Sequence, residues 1–93
     1  MDKISAIHLM SALAQPTRLE VFSTLTRCTD GLSVGELAKL VETPANTMST
    51  HLSILARAGA VTSTRNGRVV TYAAAPNAVS DLAKFLAGGP RSD

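Results

Sequence analysis

Apolar residues recur at helical spacing near the start of the chain. The first predicted helix begins after Asp2 as its N-cap and carries one apolar stripe of Ile4, Ile7, Met10, Leu13 and Ala14. Pro16 interrupts that helix and suits the first turn of a second one, PTRLEVFSTLTR. The second helix is expected to turn Leu19, Phe22 and Leu25 inward, and Thr29-Asp30-Gly31 predicts the turn that follows it.

Two further helices follow at close spacing. Ser33-Val34-Gly35-Glu36 has the capping-box pattern, a serine N-cap with glutamate three residues later, and the helix it opens is short, ending near Val41. Thr43-Pro44 repeats the start signal, with threonine as N-cap and proline at the first helical position. The fourth helix is predicted to run to about Ala58, and Gly59 suits the left-handed position after it.

The pattern then changes to β-prone residues. The runs AVTSTR and RVVTYAA flank Asn66-Gly67, a dipeptide typical of a hairpin with a type I′ turn, in which both central residues have positive φ. Asn77 is expected to cap a last helix, AVSDLAKFLA, closed by Gly88-Gly89. The predicted order is α-α-α-α-β-β-α in one domain of 93 residues, mainly α with a small hairpin.

The short third helix, the tight turn and the longer fourth helix together predict a helix-turn-helix. The fourth helix carries an apolar face of Met48, Leu52, Leu55 and Ala56 and an opposite face of Asn46, Ser49, Thr50, Ser53 and Arg57. Short hydroxyl and amide side chains allow close approach to base edges in a major groove, and the helix N-terminus favours phosphate. The alternative interpretation of this face is an ordinary solvated helix surface.

The distribution of charge favours the first of these interpretations. The net charge is only +2 and the sequence pI is about 9.1, but no Asp or Glu occurs from Thr43 to Ser80. That span contains His51, Arg57, Arg65 and Arg68. A polyanion would meet no repulsion there. The two arginines at the hairpin tip fit a wing that touches phosphate or the minor groove, the alternative being that they only keep the hairpin in water.

Several classes of protein are excluded or disfavoured. No apolar run approaches the ~20 residues of a membrane span, and MDKISAIHL lacks the features of a signal peptide, so the expected location is the cytoplasm. The single cysteine, Cys28, excludes an internal disulfide. No nucleophile–base set, carboxylate pair, P-loop or GxGxxG is present, and the chain is predicted to be no enzyme and to need no cofactor.

The segments LAQPTRLEVFSTL and LSVGELAKLVETPANTMSTHLSILARAGAVTSTRNGRVVTYAA resemble the ArsR/SmtB winged helix-turn-helix repressors over about residues 9 to 75. The resemblance implies a homodimer built from the first and last helices, at about 3–14 and 77–87, that binds an inverted repeat in double-stranded DNA near its own promoter. Many relatives carry histidine at the position of Thr50, whereas this chain has it one place later. The expected DNA contacts are Ala45, Asn46, Thr47, Ser49, Thr50, His51, Ser53, Arg57, Arg65 and Arg68.

Many members of this family release DNA on binding a metal, but three of their site types are missing from this sequence. Residues 36–40 have no sulfur, the last helix offers only Asp81, and the tail Leu86–Pro90 has no cysteines. We therefore expect no conventional metal site. Cys28 is either a small buried apolar residue or a thiol that senses oxidants or metalloids, and the inducer stays open. His8 is expected to pack rather than to bind a ligand.

The terminal helices are expected to pair with a second copy of the chain. Together they carry an apolar set that exceeds what so small a core can bury, consisting of Ile4, Ile7, Val79, Leu82, Phe85 and Leu86.

Arg18 either meets a phosphate or, as we favour, pairs with an acid inside the fold. The rival functions are a winged-helix module that binds protein and a regulator whose signal is a sulfur species or small organic molecule.

Overall fold

The computed structural model describes residues 1–88 of the chain. Its elements, in chain order, are α1 (Lys3–Leu13), α2 (Pro16–Thr26), β1 (Leu32–Ser33), α3 (Val34–Leu40), α4 (Ala45–Arg57), β2 (Val61–Asn66), β3 (Val69–Ala74) and α5 (Ala78–Leu86). The predicted order of helices and hairpin is confirmed. The short strand β1 is an addition that the sequence did not reveal, because two residues are too few to show an alternating pattern.

The starts of the first and third helices follow from their capping side chains. The Asp2 carboxylate accepts the Ser5 N–H at 2.7 Å, as predicted, and this bond lowers the pKa of Asp2. The capping box at α3 is complete, because Glu36 N–H donates to Ser33 Oγ and Ser33 N–H donates to the Glu36 carboxylate. The same bonds lower the pKa of Glu36.

The start of α4 differs from the prediction. Pro44 occupies the N-cap position and no side chain caps the helix, while Thr43 Oγ1 donates to the Val41 carbonyl instead. The reason lies in the end of α3, where Glu42 N–H donates to the Lys39 carbonyl and Thr43 N–H to the Ala38 carbonyl. These two bonds form a Schellman motif, with Glu42 at φ 52° in the left-handed position that glycine usually fills.

The end of α4 uses the same motif with the expected glycine. Gly59 has φ 83°, its N–H donates to the Ala56 carbonyl, and the Ala60 N–H donates to Leu55. Asn77 does occupy the N-cap of α5, although its side chain makes no capping bond. Gly88 ends the described chain with φ 73°, and Gly89, predicted to close the helix with it, lies outside the described residues.

The sheet has the order β1-β3-β2 and both pairings are antiparallel. Asn66 pairs with Val69, so the loop of the hairpin consists of Gly67 and Arg68. Gly67 has φ 66°. Arg68 does not have positive φ, because Glu42 is the only non-glycine residue in the described chain that does. The type I′ turn predicted for Asn66-Gly67 is therefore wrong, since positive φ at the first central residue alone is the geometry of a type II′ turn.

One apolar cluster, formed by all five helices and the base of β2, makes the core. Helix α1 contributes Ala6, Leu9 and Ala12, so the predicted stripe of Ile4, Ile7 and Met10 lies exposed on its other side. Helix α2 buries Val21, Phe22 and Leu25, and Leu19 is half exposed because it lies more than a quarter turn from their centre. No helix among residues 1–88 is long and apolar enough to cross a membrane.

Candidate nucleic-acid interface

Helix α4 is held to the core by one face and presents the other to solvent. Met48, Leu52 and Leu55 are fully buried, as predicted, while Ala56, expected beside them, is exposed because it lies at the edge of that face. The exposed positions include seven of the predicted DNA contacts, namely Ala45, Asn46, Thr47, Ser49, Thr50, Ser53 and Arg57. The structure therefore brings these seven together on one accessible helix.

Local hydrogen bonds order several of these side chains. Asn46 Oδ1 accepts the Thr47 N–H at 2.9 Å. This N–H lies in the first turn of α4, where the backbone N–H groups have no carbonyl acceptor within the helix. Thr50 Oγ1 donates to the Asn46 carbonyl at 3.3 Å, and Arg57 Nη2 donates to Ser53 Oγ at 3.2 Å. These bonds leave the amide N–H₂ of Asn46 and most of the Arg57 guanidinium available for a ligand.

His51 differs from the other predicted contacts because it is half-buried. Its Nδ1 atom is buried and has no hydrogen-bond partner among the described residues. Burial and, to a smaller extent, the positive charge of Arg18 lower the pKa of His51, which therefore favours the neutral imidazole. A neutral, half-buried ring contributes less to an anion-binding surface than the exposed residues around it.

The hairpin places its arginines at an exposed tip. From Thr62 to Val69 every residue is exposed; Arg65 lies near the end of β2, and Arg68 is the second residue of the two-residue loop. The base of the hairpin is fixed, because Val61 is buried and the Ala75 N–H donates to the Ala60 carbonyl at 2.9 Å. An anchored ribbon with two cations at its free end is able to contact a phosphate backbone.

Acidic residues are absent from the whole of this surface. Helix α4 and the hairpin lie within the span from Thr43 to Ser80, which contains no Asp or Glu, and the nearest acids along the chain are Glu42 and Asp81. Glu42 is exposed in the turn that precedes α4, just outside the surface. The combined face is neutral to positive along its length, as a DNA-binding surface requires.

The structure gives Arg18 a role that the sequence did not suggest. The side-chain Nε–H of Arg18 donates to the Ala12 carbonyl at 2.7 Å. Its backbone N–H donates to the side chain of Gln15, the N-cap of α2. The favoured pairing with an internal acid is wrong, because the Nε partner is a backbone carbonyl at the end of α1. Arg18 thus fixes the junction between the first two helices.

The remaining candidate residues do not form a metal site. Among residues 1–88, no three His, Cys, Asp or Glu side chains come together as ligands would. Cys28 is half-buried and lines a cleft of about 360 Å³ with Phe22, Pro76 and Val79, whose walls are mainly apolar. His8 is exposed on α1 in the single chain, and its packing against a second copy stays a prediction.

Comparison with known proteins identifies the family. Residues 13–64 match a family model described as a helix-turn-helix domain, which spans more than half of the chain. The transcriptional activator HlyU of Vibrio cholerae is 32% identical over 88 residues, covering 92% of this chain and 80% of that protein. A solved ArsR-like transcriptional regulator from Rhodococcus sp. RHA1 has a TM-score of 0.83 and 26% identity, covering 91% of this chain and 78% of that one.

The chain belongs to the ArsR family of winged helix-turn-helix regulators. A further ArsR-type structure, a homodimeric winged helix-turn-helix DNA-binding domain from Mycobacterium bovis, has a TM-score of 0.73 and 25% identity over 89% of this chain and 72% of that one. Within this family's fold, α3 and α4 of the present chain are the helix-turn-helix and the β2–β3 hairpin is the wing. DNA binding and regulation of transcription are therefore its activity in general terms.

Proposed function

We propose that this protein is a homodimeric repressor that binds an inverted repeat in double-stranded DNA, with α4 in the major groove and the β2–β3 wing on the flanking backbone. The observation that carries the proposal is the exposed face of α4, which combines short polar side chains with an absence of acids and leads through Gly59 directly into the wing. Such a protein would act on DNA in the cytoplasm, without an enzymatic activity or a cofactor.

The start of α4 supports base recognition. An asparagine amide offers a donor and an acceptor in the arrangement that pairs with adenine in the major groove, and Asn46 is exposed in the first turn. Its N–H₂ group is free, and Oδ1 keeps a second lone pair beside the one that accepts the Thr47 N–H. Ala45 and Ser49 are small enough to let the backbone of the helix approach the base edges. Thr47, Thr50 and Ser53 supply hydroxyl groups along the same helix, and Arg57 supplies a cation at its far end.

The wing supports contacts that position the protein without reading sequence. Arg65 and Arg68 are exposed near the end of the hairpin, so their guanidinium groups are accessible to DNA. Arginine is suited to phosphate and to a narrow minor groove because its planar fork forms paired hydrogen bonds. His51, a half-buried residue of α4, is assigned a supporting contact and not one that reads bases.

Dimer formation is supported by apolar side chains that the monomer leaves in solvent. They lie on the terminal helices, which pack against each other, and comprise Ile4, Ile7, Met10, Val79, Phe85 and Leu86. Leu82, expected among them, is buried in the protomer itself. A two-fold axis through this surface would present two α4 helices to successive turns of DNA, about 34–36 Å apart, and so would require an inverted repeat.

A gel shift with the DNA upstream of the gene tests the proposal. The wild-type protein is expected to bind one fragment tightly, and the Asn46→Ala variant to lose roughly 10-fold or more in affinity for it while retaining binding to scrambled DNA. A matched control is Asn77→Ala, which removes an exposed asparagine that makes no capping bond and lies outside the helix-turn-helix and the wing. Equal affinity of the wild type for operator and scrambled fragments would contradict sequence recognition.

The direction of regulation and its signal need separate measurements. Repression by occupying the promoter is proposed from the family resemblance, whereas the Vibrio relative is named an activator. In vitro transcription with purified polymerase distinguishes the two, since repression predicts a transcript that decreases as protein is added. Mass spectrometry after peroxide or arsenite treatment tests the thiol alternative, which an unmodified Cys28 with unchanged DNA affinity would eliminate.

A further inference from the structure

A second cleft lies beside the end of α4 and shares no lining residue with the Cys28 cleft. It has a volume of about 210 Å³ and opens between α1, the start of α2 and the end of α4. Its walls are formed by His8, Ser11, Ala12, Arg18, Ile54, Arg57 and Ala58. This volume is below the ~300–1,000 Å³ of sites for drug-sized molecules, so its ligand would be a small metabolite.

The charge of this cleft is positive and uncompensated. Arg18 and Arg57 both line it, and no Asp or Glu does. Arg18 uses its Nε–H for the Ala12 carbonyl and Arg57 one terminal nitrogen for Ser53, so each guanidinium keeps further N–H donors. Two arginines with donors to spare and no acid between them form a receptor for a carboxylate or another oxyanion.

The position of Arg18 is fixed before any ligand arrives. Its backbone is held by the Gln15 cap and its side chain by the 2.7 Å bond to Ala12, so binding would cost little side-chain entropy. Its charge also acts on α4, because Arg18 contributes to the lowered pKa of the His51 imidazole.

The other walls specify the rest of the ligand. Ala12, Ile54 and Ala58 give the cleft an apolar side, while Ser11 and His8 add polar groups at the α1 edge. Inorganic phosphate would leave the apolar side unfilled, whereas a small organic acid would use both halves of the site. The Cys28 cleft, in contrast, is lined by no charged residue and has no means of selecting an anion.

We propose that the cleft between α1, α2 and α4 binds a small organic carboxylate, with its carboxylate on Arg18 and Arg57 and its apolar body against Ile54, and that this binding weakens the hold on DNA. The second half of the proposal rests on the proposed function, in which Arg57 contacts phosphate. One guanidinium cannot serve a cleft-bound carboxylate and a DNA phosphate equally well. The two ligands therefore oppose each other, and by linkage DNA weakens carboxylate binding to the same extent.

Binding is tested first without DNA, by NMR titration of the ¹⁵N-labelled protein. Benzoate is the probe, benzamide is its neutral analogue, and inorganic phosphate is the anion without an apolar body. We expect benzoate to shift the amide signals of Ser11, Ala12 and Ala58 saturably and benzamide to leave them unchanged. Equal shifts with benzamide, shifts with phosphate alone, or no shifts with benzoate would each overturn the proposal.

Two variants locate the carboxylate. Arg57→Gln removes an exposed cation that is not needed for packing and should weaken benzoate at least roughly tenfold. Arg27→Gln, at an exposed arginine outside the cleft, is the matched control and should bind as the wild type does. Arg18→Gln should abolish binding, provided thermal melting shows that it folds. An Arg57→Gln protein that binds benzoate as tightly as Arg27→Gln would overturn the assignment.

DNA release is tested last, in gel shifts at constant ionic strength with chloride replacing benzoate, because salt alone weakens DNA binding. Saturating benzoate should reduce the operator affinity of the wild type several-fold. The operator affinity of the Arg57→Gln protein should be the same with and without benzoate. A protein that binds benzoate but no DNA would refute the proposed function and leave the carboxylate site intact. A protein that binds DNA with no benzoate effect and no amide shifts would refute the carboxylate site alone.

Discussion

Two exposed surfaces of this small protein have opposite chemistry. The α4–wing surface is polar, free of acids and carries three exposed arginines, Arg57, Arg65 and Arg68. The α1–α5 surface exposes large apolar side chains, with Ile4 at 67% and Leu86 at 59%. The first surface is well hydrated and is suited to binding a polyanion. The second surface is unfavourable in water until another apolar surface covers it.

The difference indicates that the two surfaces are needed in sequence. In the proposed dimer, covering the apolar side chains would contribute about 25 cal/mol per Å² and would set the spacing of the two α4 helices. The polar surface would then bind DNA with a strength that depends on salt and on having two copies. Substitutions on one surface should therefore change association, and substitutions on the other should change only DNA binding.

The largest effect is expected from a charge on the apolar surface. Ile7→Glu should leave a monomer at micromolar concentration in analytical ultracentrifugation, because a buried carboxylate in an apolar interface is strongly unfavourable. DNA affinity should fall roughly 100-fold or more when the second α4 helix no longer binds alongside the first. The control for association is Leu40→Glu, since Leu40 is 60% exposed on α3, outside the terminal helices. A dimeric Ile7→Glu protein would show that the interface lies elsewhere.

A smaller effect should come from the wing. Replacing Arg65 and Arg68 together by Ala should reduce affinity for all DNA sequences alike and flatten the slope of log K against log salt by roughly 1 for each phosphate that is no longer neutralised. Sedimentation should still give the dimer. The Arg27→Ala protein, with an exposed arginine at the end of the second helix changed, provides the comparison. An unchanged salt slope would remove the wing from the DNA-binding surface.

The C-terminal ends of α3 and α4 should respond in opposite directions when the residue in the left-handed position is changed. Gly59→Ala places a side chain at φ 83° with no steric contact within 4 Å, so it should lower the free energy of unfolding by about 1 kcal/mol. Glu42→Gly relieves the same conformation at φ 52° and should be neutral or stabilising by up to about 1 kcal/mol. Urea unfolding at one fixed protein concentration measures both, and a stabilising Gly59→Ala would contradict the assigned helix end.

The smallest effect concerns His51 below the reading face. Since its pKa is lowered in the folded chain, the unfolded chain takes up a proton first as the pH falls. The free energy of unfolding should stay level above pH ~6.5 and decline below it. His51→Asn should flatten that decline in thermal melts from pH ~7.5 to ~5.5, whereas His8→Asn, at an exposed histidine, should not. Identical pH profiles for the two variants would contradict the burial of Nδ1.

Local sequence signals predicted this fold correctly where a few neighbouring residues determine the local structure by themselves. The capping box of Ser33 and Glu36 and the left-handed Gly59 behave in this way. The turn at Asn66 was misread because strand register, and not the dipeptide, decides which residues occupy the turn. Thr43 failed as a cap because its backbone was already used by the end of the preceding helix, an interaction that no single window of sequence contains.

The candidate site was predicted as far as amphipathic periodicity allows. The exposed face of α4 agrees with the sequence pattern, since a 3.6-residue period assigns each position to a side. The period could not say which of two apolar stripes on α1 meets the core, and it is the one with Ala6 and Leu9. The arginine-lined cleft was missed entirely, because it joins Arg18 to Arg57 across residues far apart in the chain.

Ala60 connects α4 to the wing through a short, rigid junction. It is fully buried, donates its N–H to Leu55 in α4 and accepts the N–H of Ala75 at the foot of the hairpin. The separation between the proposed base contact at Asn46 and the proposed backbone contact at Arg68 is therefore set by the protein. Operator DNA would have to match that separation by its own groove width and curvature. Sequence preference should thus extend to base pairs that no side chain touches, wherever flexibility of the DNA decides the fit.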